Sequence, residues 1–339
     1  MSRVCVIGDG GWGTALGISL RRNGHEVRLW GPFPEYLDEM RRTRENTRYL
    51  PGVPLPPELT WDADPAAAAR DADIAVLAVP SRFYADVMKK FAAVLPPACD
   101  LVSVTKGFAQ DTHQRMTVLA EAALWRRDVA ALSGPSFAEE VARGAPTAVA
   151  LACRDAARAA RLQQAFNHER FRVYTTDDVV GVELGGALKN VIAVAAGVSD
   201  GIGFGHNAKA ALITRGLAEM ARVGMAHGAR AETFAGLSGV GDLLLTCTGR
   251  LSRNRGVGER IGRGEKLADI LNGMRQVAEG VWNCVHARAL ARAVGVEAPI
   301  TEETYRVLHE NKDPRRAVRD LMEREPRAER DLPREQRTT

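Results

Sequence analysis

A short apolar run at residues 4–7 leads directly into Gly8, Gly10 and Gly13, and a helix-like segment follows. This order of strand, glycine turn and helix start constrains the chain more than any other feature. The G-x-G-x-x-G spacing is that of a dinucleotide site. Gly8 permits the tight turn, Gly10 lets a pyrophosphate approach the backbone, and Gly13 lets the helix pack close to the strand. The helix N-terminus then offers free N–H groups and a partial positive charge to phosphates. An ordinary glycine turn satisfies the same spacing by itself. The apolar run before it and the helix after it supply the context that cofactor binding requires.

The first half of the chain alternates apolar runs with amphipathic segments. Residues 26–30, 74–79, 101–104, 129–132, 148–152 and 171–174 read as further strands. Continuous runs of Val, Ile, Leu and Ala separated by helical stretches predict a parallel sheet buried on both faces. Polar or glycine-rich turns fall at the C-terminal ends of these strands, where open α/β sheets bind ligands. Near Gly181 the chain turns helical and rich in Ala, Gly and Leu, with no alternating strand. A length of 339 residues suits two domains. The expected division is an α/β domain over 1–180 and an all-helical domain over 181–325. A charged tail over 326–339, poor in large apolar residues, is expected to be disordered. Asp313-Pro314 predicts the start of the last helix, ending near Glu325.

The formal net charge of +4 is mild and dispersed, which suits small anionic ligands and argues against nucleic acid. Cys5, Cys99, Cys153, Cys247 and Cys284 have neither C-x-x-C spacing nor His partners. They read as buried free thiols of a reducing compartment, and no metal site is expected. The N-terminus begins a strand directly and shows no signal-peptide pattern. No apolar run approaches the roughly eighteen residues of a membrane span, residues 191–198 being too short and glycine-flanked. A cytoplasmic protein without stable membrane insertion is the expectation.

Several residues carry potential chemistry. Lys189 and Asn190 interrupt an otherwise apolar helix that contains Gly185 and Gly186. An isolated lysine there reads as one snorkelling from a helix face. Here the flanking residues leave little polar face to exit along, and the glycines let another backbone or a ligand approach. A lysine so placed loses proton affinity by desolvation and exchanges protons near neutral pH. Lys106 follows a strand and reads equally as a loop lysine or a ligand contact. Gly134-Pro135-Ser136 either holds a ligand through its hydroxyl or merely turns the chain. Asp242, between glycines and leucines, could be an N-cap and nothing more. Ser252-Arg253-Asn254-Arg255 reads as a phosphate grip, because a guanidinium offers bidentate donors and a helix start adds amides. Alone it is equally a solvated basic patch; beside a dinucleotide site it favours an anionic small substrate.

The chain resembles the bacterial NAD(P)-dependent glycerol-3-phosphate dehydrogenases from about Arg3 to Leu321. The motifs that carry the resemblance are residues 8–16, Arg44-Glu45-Asn46 with Tyr49-Leu50-Pro51, Thr105-Lys106-Gly107, residues 134–138, 183–190, 239–254, and Val277-Ala278-Glu279-Gly280. The resemblance implies an N-terminal Rossmann-like α/β domain followed by an all-α C-terminal domain. It implies interconversion of dihydroxyacetone phosphate and sn-glycerol 3-phosphate, which supplies the phospholipid backbone. It implies catalytic Lys189 and Lys106, Lys189 as the proton-transfer group. Lys106, Gly134, Ser136, Lys189, Asn190, Asp242, Ser252, Arg253 and Asn254 would line the substrate, with Arg253 near its phosphate. Gly8, Gly10, Gly11, Trp12, Gly13, Lys106, Ala138, Arg253, Val277 and Glu279 would bind NAD(P)H. The oligomeric state stays open, a homodimer being one compatible arrangement.

One stretch departs from the family pattern. After the second strand the chain reads Trp30-Gly31-Pro32-Phe33-Pro34-Glu35. Neither an acid for a ribose 2′-OH nor an Arg for a 2′-phosphate stands directly at the strand end. Use of both NADH and NADPH is therefore expected, with the preference between them unknown. A β-hydroxyacid dehydrogenase is the main rival, but it places its asparagine one helical turn after the lysine, and residue 193 is Ala. A non-catalytic dinucleotide sensor would not need Lys106, Lys189, Asp242 and Arg253 together.

Overall fold

A computed structural model of the chain describes residues 1–126, 128–274, 277–326, 328 and 329. Its first half runs β1 (Arg3–Ile7), α1 (Gly11–Arg22), β2 (Glu26–Trp30), α2 (Pro34–Thr43), β3 (Glu45–Asn46), β4 (Leu50–Pro54), β5 (Thr60–Asp62), α3 (Pro65–Ala69) and β6 (Ile74–Leu77). It continues through α4 (Ser81–Phe91), β7 (Asp100–Ser103), α5 (Met116–Leu124), β8 (Ala130–Ser133), α6 (Ala138–Arg143), β9 (Thr147–Ala152), α7 (Ala156–Phe166) and β10 (Phe171–Thr176). Eight of these strands form one sheet in the order β10-β9-β8-β7-β6-β1-β2-β5, and β3 with β4 forms a small antiparallel pair.

The sheet departs from the all-parallel expectation at one place: β8 and β9 are antiparallel, while every other neighbouring pair in it is parallel. The cause is the short crossover. α6 has 6 residues, a rise of about 9 Å. That is less than half of the ~20 Å needed to return along a six-residue strand. The chain therefore enters β9 at the end where β8 stops.

The second half is helical: α8 (Val179–Ile202), α9 (Gly205–Ala226), α10 (Ala231–Ala235), a π-helical turn (Leu237–Gly241), α11 (Asp242–Thr248), α12 (Arg253–Gly262), α13 (Leu267–Asn272), α14 (Glu279–Ala293), α15 (Pro299–His309) and α16 (Pro314–Met322). α16 starts where Asp313-Pro314 predicts, the Asp313 carboxylate accepting from the Arg316 amide at 2.8 Å. It stops at Met322, three residues before the expected end. Residues 327 and 330–339 of the expected tail lie outside the described residues.

The expectation that nothing is long and apolar enough to cross a membrane is corrected by α8. This helix of 24 residues has an eighteen-residue window of mean hydropathy 1.6, of which 83% is buried inside the protein. It is the core helix of the second domain, apolar on all sides because other helices surround it. Its start is fixed by Asp178, which accepts from the amide of Gly181 at 2.9 Å. Its second half crosses α12 at backbone contact. A Cβ on Gly197 would lie 2.0 Å from the Arg255 carbonyl oxygen, and one on Gly258 would lie 2.0 Å from that of Val194. All five cysteines are buried and free.

Two glycines of α12 separate this crossing from mere helix propensity. A Cβ on Gly256 meets nothing within 4 Å. Gly256→Ala is expected to stabilise the protein by up to about 1 kcal/mol through helix propensity. Gly258→Ala forces the two backbones apart and should cost roughly 1–3 kcal/mol. Thermal melting of both variants checks this; equal melting temperatures would show that the crossing is not limited by backbone contact.

Candidate active site

The π-helical turn delivers Asp242 to the centre of the site. Gly239 makes the turn feasible, since a Cβ there would sit 2.0 Å from the Phe234 carbonyl oxygen. Asp242 is 1% exposed. The N-cap reading of this residue is overturned: Asp242 lies inside the helical path, and its carboxylate is taken by two lysines. Oδ2 accepts from Lys106 Nζ at 2.7 Å and Oδ1 from Lys189 Nζ at 3.0 Å.

Each lysine has one further acceptor. Lys189 donates to Thr246 Oγ1 at 2.6 Å, while that hydroxyl donates to the Asp242 carbonyl at 2.6 Å. Lys106 donates to the Gly134 carbonyl at 2.9 Å, which also accepts from Ser136 Oγ at 2.9 Å. Gly134 holds this position with φ of 143°, a backbone geometry that favours glycine. An ammonium has three donors, so each lysine keeps one N–H for a ligand. Burial pushes Lys189 down to about 8; Asp242 opposes the shift and Lys106 adds to it.

The glycine pair of α8 places Lys189. A Cβ on Gly185 would meet the Ser238 carbonyl oxygen at 2.4 Å, and one on Gly186 would meet Ser133 Oγ at 2.5 Å. Their absence lets α8 touch the π-helical turn on one side and the end of β8 on the other. Asn190, the next residue, accepts from Asn254 Nδ2 at 2.8 Å, and Asn254 accepts from the Gly280 amide at 2.9 Å. Asn190 also approaches the Lys106 carbonyl at 3.5 Å, and Asn283 donates to that carbonyl at 3.2 Å. Ser252 caps α12 by accepting from the Arg255 amide at 3.2 Å. Arg253, at the first turn of α12, is exposed and makes no hydrogen bond or ion pair among the described residues.

The glycine loop fits a dinucleotide. Gly8 has φ of 124°, and a Cβ on Gly13 would lie 2.2 Å from the Gly8 carbonyl oxygen. A Cβ on Gly10 would meet nothing within 4 Å, so the backbone is open where a pyrophosphate would approach. α1 begins there without a side-chain cap and without an acid in its first turn. The buried Nε1 of Trp12 has no hydrogen-bond partner among the described residues. Gly11 and Ala138 lie side by side, a Cβ on Gly11 falling 3.9 Å from that of Ala138. Glu279 reaches this end of the sheet from α14, accepting from Ser81 Oγ at 2.6 Å and from the Ser81 amide at 3.1 Å. Burial raises its carboxyl, and those two bonds and the charge of Arg253 pull it back. Val277 is half-buried just before α14.

Two family models cover the chain. One, NAD-dependent glycerol-3-phosphate dehydrogenase N-terminus, matches residues 3–159; the C-terminus model matches residues 178–319. The chain is 54% identical to the glycerol-3-phosphate dehydrogenase [NAD(P)+] of Geobacter sulfurreducens over 97% of its own length and 99% of the relative's. It belongs to the NAD-dependent glycerol-3-phosphate dehydrogenase family. The crystal structure of the Coxiella burnetii glycerol-3-phosphate dehydrogenase superposes with a TM-score of 0.92 at 39% identity, covering 95% of this chain and 99% of that one. The Saccharomyces cerevisiae enzyme gives 0.81 at 28% identity, covering 95% and 99%. The family is one of oxidoreductases with an N-terminal Rossmann-like domain and a helical C-terminal domain, and this chain is an NAD(P)-dependent member.

Against the glycerol-3-phosphate dehydrogenase frame, sequence reasoning missed Thr246, Asn283 and Ser81. Thr246 stands one helical turn after Asp242 and Asn283 one turn after Glu279, so helical spacing alone marks both as neighbours of named site residues. Nothing local marks Ser81.

Loss of Lys189 and loss of Asp242 are predicted to have opposite stability effects. Lys189 holds its proton less tightly folded than unfolded, so its ionisation opposes folding below about 8 and stops doing so as pH rises through its unfolded value of 10.5. At neutral pH, Lys189→Met should therefore melt at or above the wild type, since Asp242 keeps Lys106. Asp242→Ala strands two ammonium groups and should cost roughly 3–5 kcal/mol. Melting curves for the two variants check the contrast; a strongly destabilised Lys189→Met would overturn it.

Proposed function

We propose that the chain reduces dihydroxyacetone phosphate to sn-glycerol 3-phosphate, and catalyses the reverse oxidation, with Lys189 as the proton-transfer group. The observation that carries this reading is the pair of lysines on one buried carboxylate, each with a spare donor. The bound dinucleotide supplies a hydride to the carbonyl carbon. The charge that develops on the carbonyl oxygen is met by Lys189, which gives up a proton, and by Lys106, which contributes a fixed positive charge. In the oxidation, neutral Lys189 accepts that proton from the hydroxyl. Asp242 and Thr246 hold Lys189 in place, and Gly134 holds Lys106. Asn190, Asn254, Ser136 and Ser252 complete the lining.

Arg253 is the proposed phosphate grip. Its guanidinium has no hydrogen-bond or ion-pair partner among the described residues and stands at the first turn of a ten-residue helix, where side-chain and backbone donors can serve one anion. Binding the phosphate at a distance from the carbonyl spends remote binding energy on orientation. Residues 1–180 serve the dinucleotide in this reading, and 181–325 serve the substrate. A cytoplasmic location and supply of the phospholipid backbone belong to the same reading.

Lys189→Met keeps the length and apolar fit but removes the proton. It is expected to bind NADH with near-native affinity while losing on the order of a hundredfold or more in kcat. Retention of most of kcat, with Lys106→Met inactive, would reverse the two roles. In the wild type, reduction should slow as pH rises through about 8 and oxidation should speed up through the same value, because one needs the ammonium and the other the amine. Steady-state pH profiles in both directions test this, and profiles flat across that value would count against Lys189.

Arg253→Ala should raise KM for dihydroxyacetone phosphate by the equivalent of about 2–5 kcal/mol. Unphosphorylated dihydroxyacetone should be poor for wild type and variant alike. Equal weakening of both substrates would show that Arg253 does not read the phosphate.

A further inference from the structure

Asp9 stands between the first two glycines of the loop and is 7% exposed. Its backbone carbonyl is held by Asn46 Nδ2 at 2.7 Å and Thr14 Oγ1 at 3.3 Å. Its side chain is not held in the same way: the buried Oδ2 has no hydrogen-bond partner among the described residues. Burial pushes this carboxyl up to about 6, and the charge of Arg48 pulls it back. A buried carboxylate oxygen without a donor opposes folding. The substrate chemistry at Lys189 makes no use of it.

The position of that carboxylate is informative. A Cβ on Gly31 would fall 2.6 Å from Asp9 Oδ2 and 2.7 Å from its Cγ. Gly31 directly follows β2, and the end of the second strand of such a βαβ unit is where an acid receives the adenosine ribose 2′-OH. The sequence has no acid at that strand end. The fold brings one in from the glycine loop, into the space that a side chain at residue 31 would otherwise fill.

We infer that Asp9 reads the adenosine ribose, accepting from its 2′-OH and repelling a 2′-phosphate, so that this chain favours NADH over NADPH. The inference rests on the dinucleotide site assigned to the glycine loop. It goes beyond the expectation that both dinucleotides are used with the preference unknown, which looked for a discriminating acid only after β2. The nearby cation that could rescue a 2′-phosphate, Arg48, is already engaged: its guanidinium lies 3.9 Å from the Tyr36 ring centre and 3.7 Å from Glu39 Oε2.

The test is direct titration of the full-length protein with NADH and with NADPH, followed by calorimetry, alongside kcat/KM for each. Wild type is expected to bind NADH at least tenfold more tightly than NADPH. Asp9→Asn, which keeps an acceptor for the hydroxyl but removes the charge, should narrow that ratio at least tenfold, mainly by strengthening NADPH. Gly31→Ala should narrow it too, by displacing the carboxylate without altering its chemistry. Equal affinities in the wild type, or an unchanged ratio in Asp9→Asn, would overturn the role of Asp9 while leaving the dinucleotide site intact. Failure of the wild type to bind either dinucleotide would overturn the site itself, and the inference with it.

Discussion

The candidate active site depends on one carboxylate shared by two ammonium groups. Two lysines brought together without Asp242 would repel each other in a medium that screens poorly. With it, Lys106 from the sheet domain and Lys189 from the helical domain point at the same volume. The shared anion also fixes how the two lysines differ. Lys189 is the more deeply buried, with its side chain 8% exposed against 18% for Lys106. Burial lowers its proton affinity and suits it to proton transfer, while the more accessible Lys106 is suited to providing a standing charge.

Holding that geometry across two domains requires close backbone approach, and this accounts for the glycines of α8. Gly185 and Gly186 let the helix sit against the turn that carries Asp242 and against the strand end beside Lys106. Gly197, packed against α12, brings the arginine-bearing helix alongside. The asparagines then tie the pieces together through main-chain groups, since Asn190 and Asn283 both reach the carbonyl of Lys106. A polar network of this kind, closed on backbone atoms, restrains relative movement of the two lysines without adding charge to the site.

Much of this was legible in the sequence where the signal is local and periodic. The β1 glycine loop, the strands β2, β6 and β10, and the change to helix after β10 all follow from apolar runs and turn residues. β5, three residues long, carries too little pattern to be seen. β9 was legible as a strand at residues 148–152, but its antiparallel direction was not, because direction depends on the length of the preceding crossover rather than on strand composition. Asp242 was ambiguous for a related reason: an acid after glycines reads as a cap, and only the π-helical turn shows that its side chain points to the lysines. Lys189 was legible because an ionisable group in an apolar, glycine-lined helix conflicts with every simpler use of that helix. The orientation of Asp9 was not, since spacing within a glycine loop says nothing about where the intervening side chain turns.

The reversal of β9 sets the reach of the helix that carries Lys189. Because β9 and β10 run against β8, the chain leaves β10 at the foot of the sheet, with Thr176 level with Ala152 and Ala152 opposite Ala131. α8 then climbs alongside β8, packing Val179 and Val182 on Ala131 and Ala152 before Gly186 passes Ser133 at the strand's upper end. Ten residues of helix separate Val179 from Lys189, a climb of about 15 Å. The lysine thus emerges one turn above the rim. The sheet acts as a ruler for the helix: adding or removing a residue between Asp178 and Gly186 would rotate Lys189 by about 100° away from Asp242, whatever the local sequence.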